Sequence, residues 1–496
     1  MSPVISRTMS SGDREHAVAD AVPTELFING RWRPGSGGET FDVEDPSTGK
    51  ILRAVADATP EDGMAALDAA VAAQAGWAQY PPRERGDILR RAYELMMQRQ
   101  EDLALLMTLE MGKPVAESRG EIAYAAEFFR WFGEEAVRID GGFAMAPNGS
   151  GRVLVMRQPV GPTLLITPWN FPAAMGTRKI GPAVAAGCTM VLKPASLTPL
   201  SMLAIAGILA ECGLPAGVLN VVPSSRSGRL MEPLIRDGRA RKLSFTGSTE
   251  VGRLLLEQCA EQIMRTSMEL GGTAPFLVFA DADLDAAVQG AMVAKMRNIG
   301  EACTAANRFY VHADVVDEFS RRLAEQMGSL RIGRGSDESV QVGPLIEAKA
   351  REKVRHLVND AVARGAQVLV GGEPVDGPGY FYRPTVLVDV PPDATLTTTE
   401  IFGPVAPITA FTDEQQVLAA ANDSPFGLAS YVYTSDLDRA LRVCEQLEAG
   451  MVGLNQGLVS NPAAPFGGIK HSGLGREGGA VGIGEFLETK YVAVAT

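Results

Sequence analysis

From residue 163 onward the chain alternates short apolar runs with stretches of helical spacing, and nothing else in it constrains the fold so strongly. The runs lie at 163–167, 189–192, 218–222 and 242–245, with helical stretches at 173–186, 200–212, 228–236 and 250–262 between and after them. Strands this short and this uniformly apolar are buried on both faces. That demands a parallel sheet with helices on either side. A second block of the same kind follows Gly271 and Gly272, with strands at 276–279, 309–311, 367–370, 385–388 and 405–411 and a last α/β unit over 415–454. Ahead of both, residues 60–138 read as helices. The segment 152–160 reads as a strand with basic ends, and 491–496 as a short apolar strand able to pair with a partner's edge.

The chain has 496 residues, with 46% hydrophobic and 21% charged residues, which suffices for two large domains and excludes general disorder. A net charge of −13 gives no field that would attract nucleic acid or an anionic membrane, and neither is an expected partner. No apolar run reaches membrane-spanning length. Residues 1–22 lack the apolar core of a secretory signal and read as a flexible tail. The cysteines Cys188, Cys212, Cys259, Cys303 and Cys444 are odd in number and form no CxxC pair. Neither disulfides nor a metal site are expected, and the compartment reads as reducing and cytoplasmic.

The chain has no P-loop, HExxH or GxSxG. Residues 473–478 match GxGxxG, but no strand leads in and no βαβ unit follows, so the match reads as a loop. Five other positions could carry chemistry. Cys303 lies between a helix and a strand, where a nucleophilic thiol is reachable; the plainer alternative is an inert buried cysteine. Glu269 ends a strand beside two glycines, placed as a general base or as a turn carboxylate. Asn170 sits between a strand and a helix, as an oxyanion donor or a turn former. Lys193 follows a strand at the sheet edge where α/β folds bind ligands, and Ser248 is placed to cap a helix that could take a phosphate.

Taken in order, TPWNFP (167–172), Lys193-Pro194, FTGS (245–248), MELGG (268–272), Cys303, EIFGP (400–404) and PFGG (465–468) resemble the aldehyde dehydrogenase superfamily over essentially everything after Pro23. The resemblance implies a Rossmann-like cofactor domain without GxGxxG (23–141 and 161–270). It also implies an α/β catalytic domain (271–470) and a small β oligomerisation arm (142–160 and 480–496). It implies that Cys303 adds to an aldehyde, that Asn170 and the Cys303 N–H hold the oxyanion, and that hydride leaves to nicotinamide. Glu269 then activates the water that hydrolyses the thioester. Lys193 and Glu400 would hold the cofactor ribose groups and Ser248 the pyrophosphate. Trp169 and Phe402 would line the cofactor site, with Thr167, Pro168 and Gly247 beside them. A homodimer or homotetramer is implied.

Within the superfamily, the segments 170–179, 185–196 and 468–478 are most similar to succinate-semialdehyde dehydrogenases. A substrate carboxylate needs fixed cations, and by this resemblance Arg178, Arg297 and Ser460 bind it. NAD-specific members often carry Glu where this chain has Ser196, which leaves a 2′-phosphate unrepelled and favours NADP, with NAD still possible. Glu269 argues against a CoA-acylating relative, and none of the four histidines sits in a cysteine-hydrolase motif. Glutarate semialdehyde and an inactive relative stay open as alternatives. Two departures stand out. Ala305 replaces a second cysteine found in redox-switched relatives, and Glu301 replaces the usual Gln two residues before the nucleophile. An ionised, nearby Glu301 would raise the Cys303 pKa and slow attack.

Overall fold

The computed structural model describes residues 11–495. Its first large sheet has eight strands. In spatial order they are Arg31–Arg33, Leu26–Ile28, Leu219–Val221, Met190–Lys193, Thr163–Ile166, Lys242–Thr246, Arg265–Glu269 and Gly473–Leu474. The five from Leu219–Val221 to Arg265–Glu269 are parallel; four of them are the apolar runs of the alternation, and the fifth is the strand that Glu269 ends. In chain order they run third, second, first, fourth, fifth. The direction of winding therefore reverses between Thr163–Ile166 and Lys242–Thr246. A crevice opens at such a switch point beyond the carboxyl ends of the strands. Thr167 to Asn170 leave one of these ends, and Gly247 and Ser248 leave the other.

The second sheet has seven strands, in the order Gln367–Val370, Thr385–Val388, Val405–Phe411, Ala306–His312, Ala274–Val278, Ala429–Tyr433 and Met451–Leu454. Only the first pair is antiparallel. A third, antiparallel sheet joins Gly142–Met145, Gly151–Pro159 and Leu487–Ala495. The expected C-terminal strand is thus longer than its apolar tip and pairs within its own chain.

The N-terminal region departs most from expectation. Residues 1–10 of the expected flexible tail lie outside the described residues, but Ser11–Asp20 is a helix. Val18 is fully buried and Val22 nearly so, and Arg334 holds the helix through Glu15. Its mean hydropathy is low because one apolar face is enough to dock it. Strand Leu26–Ile28, only three residues long, and the hairpin Thr40–Asp45 with Lys50–Ala56, largely polar on one face, were also not legible. The helical block itself forms as Pro60–Ala78, Pro82–Gln98, Gln100–Met111 and Val115–Glu135. A capping box between Thr59 and Asp62 starts the first, and Gly112 ends the third in the left-handed conformation that glycine adopts without a Cβ clash. Among the described residues no helix is long and apolar enough to cross a membrane.

Candidate active site

The helix Ala174–Ala186, which leaves the TPWNFP turn, is buried along its whole length, yet it carries Arg178 and Lys179. Two buried cations need an anion. Glu477 supplies it, ion-paired with Arg178 through one oxygen and accepting from Lys179 Nζ through the other. Glu477 belongs to the GxGxxG segment. Strand Gly473–Leu474 pairs with the end of Arg265–Glu269, and a Cβ at Gly473 would lie 1.8 Å from the Met268 carbonyl oxygen. The glycines of this motif therefore allow close backbone approach beneath Glu269 rather than cradling a phosphate.

Glu269 ends its strand 3% exposed, and neither carboxylate oxygen has a hydrogen-bond partner. Burial, with Glu477 adding to it, pushes its pKa well above the usual carboxylate range; Arg178 and Lys179 pull the other way. Glu477, paired with both cations, is held low although burial opposes this. Two carboxylates with opposite shifts in one site leave Glu477 as the standing anion and Glu269 as the group that keeps its proton to higher pH.

Cys303 is delivered by a kink. Asn298, Ile299 and Gly300 occupy the left-handed region in succession, with φ of 54°, 52° and 79°. For the two non-glycine residues this costs about 1–3 kcal/mol each. The kink is held by hydrogen bonds: Glu117 accepts from the Asn298 N–H at 2.6 Å, and Asn298 Nδ2 donates to the carbonyls of Asn170 and Glu301 at 3.0 and 2.8 Å. Asn170 Nδ2 donates to the Glu301 carbonyl at 3.1 Å, and Lys113 Nζ donates to the Asn170 carbonyl at 2.8 Å. Asn170 and the nucleophile segment are thereby locked to each other, with one amide hydrogen of Asn170 left over. Burial pushes the Cys303 thiol up to about 12; Arg178 and Arg297 favour its thiolate, while Glu400 and Glu269 disfavour it.

Cys303, Glu269 and Asn170 line one cavity of about 330 Å³ together with Pro168, Trp169, Gly247, Ser248, Glu400 and Phe402. Of the expected cofactor residues, Thr167, Lys193 and Ser196 lie outside that lining. Thr167 and Lys193 are joined by a backbone hydrogen bond of 3.2 Å, and Ser196 is half-buried just beyond. The Lys193 ammonium has no partner among the described residues, and burial holds its pKa down to about 8. Trp169 meets Phe402 edge to face at 5.4 Å, and Phe402 is itself left-handed, with φ of 55°. Glu400 accepts from the Gly272 N–H at 3.3 Å and is pushed up to about 7 by burial. Ser248 caps the helix Thr249–Ala260, accepting from the Val251 N–H.

Arg297 donates to Ser460 Oγ at 3.2 Å and stacks over Phe171 at 4.7 Å. Arg178 lies over the Phe466 ring at 4.2 Å. Both guanidiniums favour the Cys303 thiolate, and Arg297 holds Ser460; none of the three is among the residues lining the cavity. Sequence reasoning missed Lys113, Glu117, Asn298, Glu477 and Tyr124. Their roles depend on partners more than 50 residues away, and only the Met111–Pro114 break after a helix marked Lys113 as unusual.

Glu301 lies where its charge is disfavoured. Its side chain is fully buried, Oε1 accepts from the Ile346 N–H at 3.1 Å, and burial holds its pKa well above the usual range. Burial disfavours its charge, and the side chain faces the Ile346 backbone as a near-isostere of Gln. Glu301→Gln is expected to leave the pH–rate profile unchanged. It should also raise stability by a margin that grows with pH. Above the ordinary carboxylate pKa the native state alone keeps the proton, so wild-type stability falls by up to about 1.4 kcal/mol per pH unit until the raised pKa is passed. Thermal midpoints of both proteins from pH 5 to 9, as a rough working range, check this; a constant gap would contradict it.

The aldehyde dehydrogenase family model matches residues 32–492. The chain is 60% identical over 445 residues to the succinate-semialdehyde dehydrogenase of Paenarthrobacter nicotinovorans, covering 90% of this chain and 99% of that protein. It is 51% identical over 471 residues to the glutarate-semialdehyde dehydrogenase of Pseudomonas putida, covering 95% and 98%. A crystal structure of an E. coli NADP-dependent enzyme superposes with a TM-score of 0.95 at 51% identity, covering 96% of this chain and 99% of that one.

Proposed function

The chain belongs to the aldehyde dehydrogenase family, and from that premise we propose that it oxidises succinate semialdehyde to succinate, with NADP favoured over NAD. The observation that carries the substrate reading is the pair of guanidiniums, Arg178 and Arg297, acting on the same cysteine thiol, with Ser460 hydrogen-bonded to the second. Arg178 already holds Glu477, but Arg297 meets Ser460 and aromatic faces, and a neutral aldehyde would give it no carboxylate; a short semialdehyde presents one while its carbonyl reaches Cys303.

In this mechanism Cys303 Sγ adds to the carbonyl carbon, and the oxygen that becomes negative accepts from Asn170 Nδ2 and the Cys303 N–H. A bound nicotinamide supplies the hydride acceptor. After hydride loss the acyl group is a thioester on Cys303, and Glu269 takes a proton from the water that cleaves it. The buried Lys193 ammonium without a partner, the nearby Ser196 and the capped helix at Ser248 suit the ribose and phosphates of a dinucleotide. Thr167, Pro168, Trp169, Gly247, Glu400 and Phe402 would complete that site, and Ser196 offers no negative charge against a 2′-phosphate.

The working division is a cofactor-binding part (23–141 and 161–270), a catalytic part (271–470) and an arm (142–160 and 480–496). The arm leaves Phe143, Met145 and Tyr491 exposed, an apolar surface that a second copy would cover in a cytoplasmic homodimer or homotetramer.

The test compares succinic semialdehyde with butanal, which has the same carbon count and no carboxylate, using NADP and NAD in turn. We expect kcat/KM for the acid to exceed that for butanal by more than about tenfold for each charge-assisted hydrogen bond made to the carboxylate, and NADP to be the better acceptor. Equal rates with the two aldehydes would remove the substrate reading and leave the family standing.

A further inference from the structure

We propose that Tyr124 is a specificity-determining residue whose phenol, with Arg178, Arg297 and Ser460, completes a four-group site for the substrate carboxylate. The inference rests on the semialdehyde reading above and adds a member to it.

Tyr124 lies on the helix Val115–Glu135, whose other inward positions include Phe128, Phe129 and Phe132. Its ring meets Phe128 edge to face at 4.9 Å, which fixes it from one side. The Arg297 guanidinium carbon lies 5.8 Å from its centroid while stacking more closely on Phe171. Tyr124 therefore helps hold Arg297 between two aromatic rings. Its hydroxyl lies beside both the Arg178 guanidinium and the Ser460 hydroxyl, so the phenol joins the two arginines that otherwise approach from different helices.

The donor inventory shows what this junction is for. Arg178 ion-pairs with Glu477 and donates Nη2 to the Met175 sulfur at 3.1 Å, and its Nε and Nη1 are buried without a hydrogen-bond partner among the described residues. Arg297 spends Nη1 on Ser460. The Arg178 guanidinium and the Ser460 hydroxyl thus neighbour a phenol that can both donate and accept, with Arg297 against its ring. Without substrate the phenol oxygen can accept from a guanidinium, easing the cost of a desolvated cation. With a carboxylate present it turns its O–H to the anion. Burial raises its pKa against the pull of both arginines, so the proton it would donate is retained. Phenylalanine would keep the ring packing and lose only this exchange.

Tyr124→Phe separates that role from packing. In the purified full-length protein, we expect KM for succinic semialdehyde to rise about tenfold or more, the loss of one charge-assisted hydrogen bond. We expect kcat to change by less than about twofold and KM for NADP to be unmoved, since the site binds rather than reacts. The preference for succinic semialdehyde over butanal should fall by the same factor, and inhibition by succinate should weaken in parallel. An unchanged KM and preference would overturn the proposal. So would an equal loss of kcat on both aldehydes, which is the pattern of a merely structural residue. A wild-type enzyme without any preference for the acid would instead sink the semialdehyde reading, so the two failures are distinguishable.

Discussion

Glu269→Gln is expected to release one reduced cofactor per active subunit in a fast phase and then nearly stop. The carboxylate has no hydrogen-bond partner of its own, so Gln fits the same space without disturbing a network. What it loses is the ability to take a proton from water. Steady-state turnover should fall by about 10²–10⁴, while attack by Cys303 and hydride loss still complete once. Rapid-mixing absorbance of the reduced cofactor checks this. Undiminished steady-state turnover would take the base assignment away from Glu269; absence of the fast phase would move its role earlier, to deprotonating Cys303. The pH dependence follows from the direction of the shift. Burial raises the Glu269 pKa, and the active form is the carboxylate, so wild-type turnover should keep climbing as pH rises beyond the ordinary carboxylate range. The Gln variant should lose that limb.

Arg178→Met should cost stability as well as substrate affinity. Burial works against the Arg178 charge, and Glu477 more than restores it. Removing the guanidinium leaves Glu477 with Lys179 alone in a site fully closed to water, and breaking a buried ion pair from one side costs about 3–5 kcal/mol. Glu477→Gln placed on top of Arg178→Met should cost less than Glu477→Gln alone, because Arg178 no longer needs the anion, although Lys179 still does. Denaturation midpoints of the two single variants and the double variant read the coupling. Strictly additive effects, or a single-variant loss below about 1 kcal/mol, as for an exposed pair, would show that the pair does not carry stability. For this reason Arg297, which pairs only with Ser460 and aromatic faces, is the cleaner position at which to weaken carboxylate binding.

The main α/β organisation was legible because strands and helices obey local rules. Four apolar runs separated by helical stretches, with the strand that Glu269 ends, became five parallel strands, and Ser248 capped the helix it precedes. The N-terminal helix Ser11–Asp20 escaped this reading, since a short polar helix docks through a few residues whose partners are distant in sequence. The GxGxxG segment shows the same limit from the other side. Rejecting it as a phosphate loop agreed with its context, yet nothing local revealed that Glu477 within it would neutralise Arg178 and Lys179.

The sequence by itself determined the layered α/β architecture, the family resemblance and the identity of Cys303, Glu269 and Asn170 as candidates. Spacing, caps and motif order are properties of near neighbours along the chain. Tertiary structure alone decided the electrostatics. Lys179 meets Glu477 across 298 residues, Asn170 meets Glu301 across 131, and the fold that closes over Glu301 disfavours its charge. Desolvation and charge pairing depend on what is packed around a group, and no short stretch of sequence contains that surrounding.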